Sequence, residues 1–92
     1  MPEHDDALTS IDKLRAEIDN LDEQLVVLLN ARAEKALAIR ALKPGAKLGL
    51  FDPRREEEIF ERVSQLNQGP LYGDDIRAIY ATILKVSKEM RG

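Results

Sequence analysis

The sequence predicts an all-α protein with three helices per chain, one long and two shorter. Aromatic residues make up 4% of the chain, which leaves little material for a β-rich core. Apolar residues recur at helical spacing in three stretches, and proline and glycine separate these stretches. The 92 residues are enough for one small domain.

The composition argues against several functional classes. The chain has no cysteine, so neither a disulfide framework nor a zinc-type Cys/His set is expected. Its net charge of −3 argues against general nucleic-acid binding, which favours a basic surface. No apolar run approaches the ~20 residues of a membrane span, and the acidic start MPEHDD lacks the apolar segment of a signal peptide. We therefore expect a cytoplasmic protein.

The first predicted helix is long. A capping-box-like signal at residues 9–12 (TSID) marks its start, so residues 1–8 are predicted to be a disordered tail and residues 9–92 to form the domain. Neither proline nor glycine interrupts the stretch from Ile11 to Leu42. Two apolar rows follow heptad spacing along it, namely Ile11, Ile18, Leu25 and Ile39, and Leu14, Leu21, Leu28 and Leu42.

The length of this helix predicts an oligomer. Roughly 32 residues at ~1.5 Å each give a helix of about 48 Å. A compact domain of this size has a radius of gyration of only about 12 Å. The apolar rows therefore exceed what the rest of one chain can cover, and a second copy of the chain is the simplest cover.

The other two helices are shorter. The segment Lys43-Pro44-Gly45 ends the first helix, and the second is predicted to begin at Pro53 with Asp52 as its N-cap. Residues 67–70 (NQGP) break the second helix, and residues 73–75 (GDD) lead into the third. The predicted apolar faces are Ile59, Phe60, Val63 and Leu66 on the second helix, and Ile76, Ile79, Tyr80, Ile83, Leu84 and Met90 on the third.

Two cations interrupt the apolar rows of the long helix. Lys35 has a simple interpretation, since a lysine can extend its ammonium from an apolar stripe to water. Arg32 has no acidic residue one turn away, and burying an unpaired guanidinium costs several kcal/mol. We therefore expect an anion from elsewhere at Arg32. Lys43 follows about three turns later and returns to the same face.

The stretch FDPRREEEIFERV places cations where a helix is already positive. Arg54 can pair with Glu58 one turn later, which makes it a solvated surface residue. Arg55 and Glu56 each lie one turn before an apolar residue, so both are predicted to face inward. A helix N-terminus with an inward guanidinium can form an anion site, and a bound carboxylate would make Arg55 tolerable there.

Two further polar residues have open interpretations. Arg15 has Asp12 and Asp19 one turn away on either side, so a surface ion pair and a binding role are equally compatible with the spacing. Ser87 interrupts the apolar stripe of the third helix, where it either bonds back to the preceding turn or serves a site.

This inventory of side chains suits one kind of chemistry. The chain has no cysteine nucleophile, no histidine beyond the N-terminal segment and no glycine-rich phosphate loop or metal cluster. Inward cations with one inward glutamate suit a small molecule that carries several negative charges. Catalysis at such a site would depend on positioning and fixed charge rather than on covalent attack or proton transfer.

The motifs LRAEIDNLDEQLVVLLNAR, a lysine eleven residues after that arginine, and FDPRREEEIFERV closely resemble the all-helical chorismate mutases. The resemblance covers about residues 8–91, and it depends on the order and spacing of all three pieces. It implies conversion of chorismate to prephenate by a Claisen rearrangement that needs no cofactor and no covalent intermediate. It also implies an intertwined helical homodimer, in which the long first helices pair and two active sites are shared between subunits.

The resemblance also implies roles for individual residues. Arg15 resembles the arginine that reaches a substrate carboxylate from the partner protomer, and Arg32 the carboxylate-binding arginine of the same helix. Lys43 resembles the lysine that contacts the breaking ether oxygen and a carboxylate. The remaining matches are Asp52 and Glu56 at the positions that receive the ring hydroxyl, Arg55 beside them, and Ser87 at a polar position of the last helix.

The chain departs from the family pattern at one position. The family usually has glutamine or glutamic acid four residues after the aligned serine, on the side of the ether oxygen opposite the lysine, and this chain has Arg91 there. Arg91 either donates to that oxygen, beside a like charge on Lys43, or points to water. The loop LNQGPL resembles chorismate mutase modules joined to prephenate dehydratase or to the first enzyme of the shikimate pathway, so either enzyme is a possible partner.

Three alternatives to a chorismate mutase are compatible with the sequence. The first is a regulatory module that binds chorismate or prephenate and controls a partner enzyme, which Arg91 favours. The second is lyase chemistry on isochorismate, which similar helical dimers perform. The third is a purely structural dimerisation domain, in which replacing Arg32 by alanine would be neutral or stabilising.

Overall fold

The computed structural model describes residues 2–42 and 52–90, which form three α-helices: α1 (Pro2–Leu42), α2 (Pro53–Leu66) and α3 (Gly73–Glu89). Within these two ranges there is no β-strand. The prediction of an all-α chain with one long and two shorter helices is therefore confirmed. Across the same residues, no helix combines the length and apolar character needed to cross a membrane.

Helix α1 begins earlier than the sequence predicts. It starts at Pro2 and has 41 residues, so the predicted start near Ile11 is wrong, and residues 2–8 belong to the helix rather than to a disordered tail. Proline suits the first position of a helix, and acidic side chains in the segment EHDD favour the positive end of the helix dipole. The capping signal at residues 9–12 therefore lies inside a helix that had already begun.

The chain contains two compact units, residues 1–34 and 35–92. The described part of the first unit consists of the N-terminal portion of α1 alone. Its heptad rows are exposed, with 43% of Ile11 and 64% of Leu28 accessible to water. Leu14, Ile18, Leu21 and Leu25 are similarly exposed. An apolar stripe of this length is typical of an interaction surface rather than of a free helix face.

The second unit holds the small core. Helix α2 packs against α3, and Leu84 of α3 is buried at 6% exposure. The half-buried apolar residues of the two helices include Ile59, Phe60, Val63, Ile76, Tyr80 and Ile83. Leu66 and Ile79, which were predicted to face inward, are instead exposed. The Arg77 guanidinium stacks 4.3 Å from the centre of the Phe60 ring and ties the two helices together at their surface.

Helix α2 begins and ends where the sequence predicts. Asp52 is its N-cap, in an extended conformation with φ −130° and ψ 94°, and the Arg55 backbone N–H donates to Asp52 Oδ1 at 3.1 Å. Pro53 occupies the first turn, where its missing N–H costs nothing. At the other end, the Asn67 backbone N–H donates to the Val63 carbonyl at 3.1 Å.

The turn between α2 and α3 is held by the Asn67 side chain. Its Nδ2 donates to the Leu71 carbonyl at 2.7 Å, and its Oδ1 accepts from the Gly69 N–H at 3.2 Å. Gly69 has φ +79°, a left-handed conformation that glycine adopts without strain. Helix α3 then starts at Gly73, and the Asp75 carboxylate accepts from the Tyr72 N–H at 2.9 Å.

Candidate active site

Glu56 is the more buried of two carboxylates of α2 that pair with cations of α3. Its Oε2 atom lies 3.1 Å from Lys88 Nζ, and the exposed fractions of the two side chains are 20% and 34%. Glu56 is therefore half-buried, which confirms the prediction that it faces inward. An ion pair with this degree of shielding holds a carboxylate in a defined position next to the last turn of α3.

Ser87 occupies the same turn of α3, directly before Lys88. It is half-buried, as expected for a polar residue within an apolar stripe, and it takes part in further contacts. The structure thus joins Glu56 of α2 to Lys88 of α3, the residue that directly follows Ser87 in the chain.

Sequence reasoning missed Arg40, whose guanidinium binds the end of α3. Nη1 donates to the Met90 carbonyl, and Nη2 donates to the carbonyls of Ser87 at 3.3 Å and Lys88 at 3.4 Å. The last carbonyls of a helix have no partner within the helix, and they form the negative end of its dipole. The signal in the sequence was weak, because a basic residue in the last turn of a helix is common.

Of the two arginines in the first turn of α2, one is exposed as predicted and the other is more exposed than predicted. Arg54 pairs with Glu58 at 3.8 Å while 91% of its side chain is exposed, which confirms the predicted surface ion pair. Arg55 was predicted to face inward, but 65% of its side chain is exposed, and it pairs with the same Glu58 at 3.6 Å. At the start of a helix there is no preceding turn to shield an inward position, so the helical period alone overstates the burial of Arg55.

The two arginines of the first unit differ in burial. Arg15 is exposed, and among the described residues none of the ion pairs includes it, so the alternative of a surface pair with Asp12 or Asp19 is not realised. Arg32 is half-buried and makes contacts. Lys35 is exposed, which agrees with the interpretation that its ammonium extends to water.

Two predicted site residues, Lys43 and Arg91, lie outside the described residues. Asp52 is present at the start of α2, one turn before Glu56, where it caps the helix. The described chain therefore offers a half-buried carboxylate, a serine and several guanidinium groups. Such groups act on a ligand through hydrogen bonds and fixed charges. In the described ranges, no cluster of His, Cys, Asp and Glu is arranged to hold a metal ion.

Comparison with known proteins identifies the family. The profile of chorismate mutase type II matches residues 14–91. The chain belongs to the chorismate mutase type II family. Its resemblance to the all-helical chorismate mutases, inferred from the motifs of α1 and α2, is thereby confirmed.

Relatives within the chorismate mutase family include larger enzymes. The chain is 42% identical over 66 residues to a bifunctional chorismate mutase/prephenate dehydratase of Aquifex aeolicus. The matched region covers 72% of this chain and 18% of that protein. A protein of the same name from Neisseria gonorrhoeae is 35% identical over 71 residues, covering 76% of this chain and 19% of the relative. The chain thus spans about a fifth of the length of these curated relatives.

A solved structure resembles the chain over most of its length. The crystal structure of chorismate mutase from Helicobacter pylori in complex with prephenate matches with a TM-score of 0.81 and 37% sequence identity. The match covers 88% of this chain and 88% of that chain. The three-helix fold is therefore that of a chorismate mutase.

Proposed function

We propose that this chain catalyses the rearrangement of chorismate to prephenate. The observation that carries the proposal is the match, over 88% of both chains, to a chorismate mutase solved in complex with prephenate. The half-buried Glu56, whose carboxylate pairs with the residue after Ser87, supports it, because a small polar ligand needs fixed acceptors at a site partly shielded from water. The cytoplasmic location predicted from the sequence stays a prediction.

The proposed mechanism begins with restraint of the substrate. Chorismate is a dianion whose flexible enolpyruvyl arm must fold over the ring before bonds can form and break. Arginine forks suit carboxylates, so Arg32 and the Arg15 of the partner subunit would hold the two carboxylates in this folded shape. Holding the reacting atoms in a near-attack conformation removes much of the entropic part of the barrier.

Electrostatic stabilisation of the transition state is the second part of the proposal. Negative charge grows on the ether oxygen as its C–O bond breaks, and Lys43 would meet that charge. A fixed donor of this kind typically lowers a barrier by roughly 3 kcal/mol. Asp52 and Glu56 would accept hydrogen bonds from the ring hydroxyl, and Arg55 would lie beside them. Ser87 would contact the substrate from α3. Arg91 would donate to the ether oxygen from the other side.

We further propose that the active unit is an intertwined homodimer with two shared sites. The support for it is the exposed apolar seam of α1, which the two heptad rows form together. Residues of both rows, such as Ile18 and Leu21, leave more than half of their surface in water. Pairing of this seam with that of a second copy would bury it and would bring Arg15 of each subunit to the site of the other. No cofactor is required for this chemistry.

The test is an assay of the purified protein with chorismate, following substrate loss and identifying the product. We expect prephenate to form well above the uncatalysed rate. Arg32→Ala should abolish turnover and leave a folded dimer, whereas Lys35→Ala, on the same helix and exposed, should retain it. A folded dimer without turnover would contradict the proposal, and pyruvate released from isochorismate would favour a lyase.

A second candidate is a regulatory module that binds chorismate or prephenate and controls a partner, such as a prephenate dehydratase or the first enzyme of the shikimate pathway. Arg91 favours it, because a second cation near Lys43 would weaken the contact to the ether oxygen. Calorimetric binding of prephenate without turnover would select this candidate. If Arg91 limits the rate, Arg91→Gln should raise kcat.

A further inference from the structure

Helix α3 ends in an unusual arrangement, since its last carbonyls are bound by a side chain from α1. Arg40 lies in the last turn of α1, and its guanidinium donates to the carbonyls of Ser87, Lys88 and Met90. These carbonyls belong to the set that a helix cannot satisfy by itself. The guanidinium also lies at the negative end of the α3 dipole, where a cation is favoured.

This contact touches the part of α3 that carries the candidate site. Ser87 and Lys88 lie in the turn that Arg40 binds, and the Lys88 ammonium is 3.1 Å from the Glu56 carboxylate. Moving this turn would therefore displace Ser87 directly, and Glu56 through its ion pair. Arg40 itself is half-buried, and both of its terminal nitrogens donate to backbone carbonyls of α3.

We propose that Arg40 is a positioning residue, which holds the last turn of α3 against the end of α1 and so fixes Ser87 and Glu56 for the substrate. The inference rests on the proposed function, because it concerns how the site of that reaction is assembled. Arginine suits this role better than lysine, since its planar fork donates to several carbonyls at once and cannot lose its charge.

The experiment compares Arg40→Met and Arg40→Lys with Arg54→Met, a matched control in which the arginine is 91% exposed. We expect Arg40→Met to raise KM for chorismate, to weaken calorimetric binding of prephenate and to lower kcat/KM by about 10- to 100-fold, because small displacements of contact groups are costly in such a site. Arg40→Lys should be intermediate, and Arg54→Met should match the wild type.

Hydrogen exchange provides a local readout that is independent of activity. In Arg40→Met, amide exchange over residues 84–90 should accelerate, while exchange in the middle of α2 should not change. A purely structural role would lower the apparent kcat by the unfolded fraction and would leave KM unchanged. If Arg40→Met does not fold, Arg40→Lys carries the test, because it keeps the charge and loses the fork.

The outcomes separate this inference from the proposed function. A wild-type chain that neither converts chorismate nor binds prephenate overturns the proposed function. An active wild type whose folded Arg40 variants keep the wild-type KM and prephenate affinity overturns the positioning role alone. A raised KM together with faster exchange at the end of α3 supports it.

Discussion

Two neighbouring glutamates of α2 each pair with a cation of α3, and the pairs differ in their exposure to water. Glu56 and Lys88 lie 3.1 Å apart with 20% and 34% of their side chains exposed. Glu57 and Arg77 lie 3.5 Å apart with more than half of each side chain exposed, at 58% and 51%. Exposed pairs are screened and contribute at most about 1 kcal/mol, so the Glu57 pair holds the surface together only weakly.

This difference predicts unequal effects of the same substitution. Glu56→Gln should lower kcat/KM by about 10-fold or more, because a neutral amide accepts the ring hydroxyl less strongly and no longer attracts Lys88. Glu57→Gln, its matched control, should change kcat/KM by less than about twofold. Initial rates with chorismate, with unfolding of both variants measured alongside, provide the comparison. Equal losses of activity in the two variants would argue against a role for Glu56 in substrate binding.

At the level of residues, spacing along a helix predicts which way a side chain faces, but it does not predict contacts with distant parts of the chain. The inward direction of Glu56 followed from its place one turn before an apolar residue, and the structure confirms it. Arg55 obeyed the same rule and is nevertheless exposed, since it lies in the first turn of its helix. Arg40 could not be found in this way, because its acceptors lie 47 to 50 positions away in the sequence.

At the level of elements, the start of α2 combines two tasks in one residue. Asp52 caps the helix by accepting the Arg55 N–H at 3.1 Å, and it is also a predicted acceptor for the ring hydroxyl. Asp52→Ala should therefore destabilise the fold by about 1 kcal/mol and also raise KM. Asp52→Asn should keep most of the cap and its stability, and still raise KM, because asparagine caps helices about as well as aspartate.

Thermal unfolding and steady-state kinetics of the two Asp52 variants separate these tasks. Ser64→Ala, an exposed substitution later in the same helix, controls for the general effect of mutating α2. If Asp52→Asn leaves KM unchanged, Asp52 is a helix cap and makes no contact with the substrate. If Asp52→Ala leaves stability unchanged, the cap contributes nothing to α2.

The predictability of each element follows from the strength of its boundary signal. Asp52-Pro53 combines a cap with a residue suited to the first turn, and α2 begins there. The signal at residues 9–12 was weaker, because serine and threonine are also tolerated inside a helix. With Pro2 as an alternative start and no breaker between, α1 begins at Pro2 instead. A cap motif thus predicts a helix start only where the preceding residues cannot be helical.

At the level of the whole molecule, the largest feature is the apolar seam of α1. Its heptad spacing was evident from the sequence, and in the structure the seam is exposed, with 57% of Leu21 and 54% of Leu25 accessible to water. A sequence can predict that such a surface needs a cover, but it contains no direct record of which molecule covers it. The length of the helix makes a second copy the simplest cover, and the family resemblance leads to the same proposal.

Shared active sites in a homodimer predict complementation between two inactive variants. In Arg15→Ala the site loses the arginine contributed by the other subunit, and in Arg32→Ala it loses one of its own. A heterodimer of the two variants would contain one site that lacks both arginines and one that is intact. We therefore expect about half of the wild-type activity per dimer, since a two-fold dimer has two equivalent sites.

Co-expression of the two variants with different affinity tags, followed by tandem purification, isolates the heterodimer for the chorismate assay. Tandem-purified dimers that carry the same variant on both tags serve as controls, and they should be inactive. Lys35→Ala in place of Arg32→Ala provides a second control, since that residue is exposed. This heterodimer should keep one intact site, in the Arg15→Ala subunit, and should lose only Arg15 from the other site. A heterodimer no more active than the single-variant controls would mean that Arg15 serves the site of its own subunit, and the proposed exchange of arginines between subunits would be wrong.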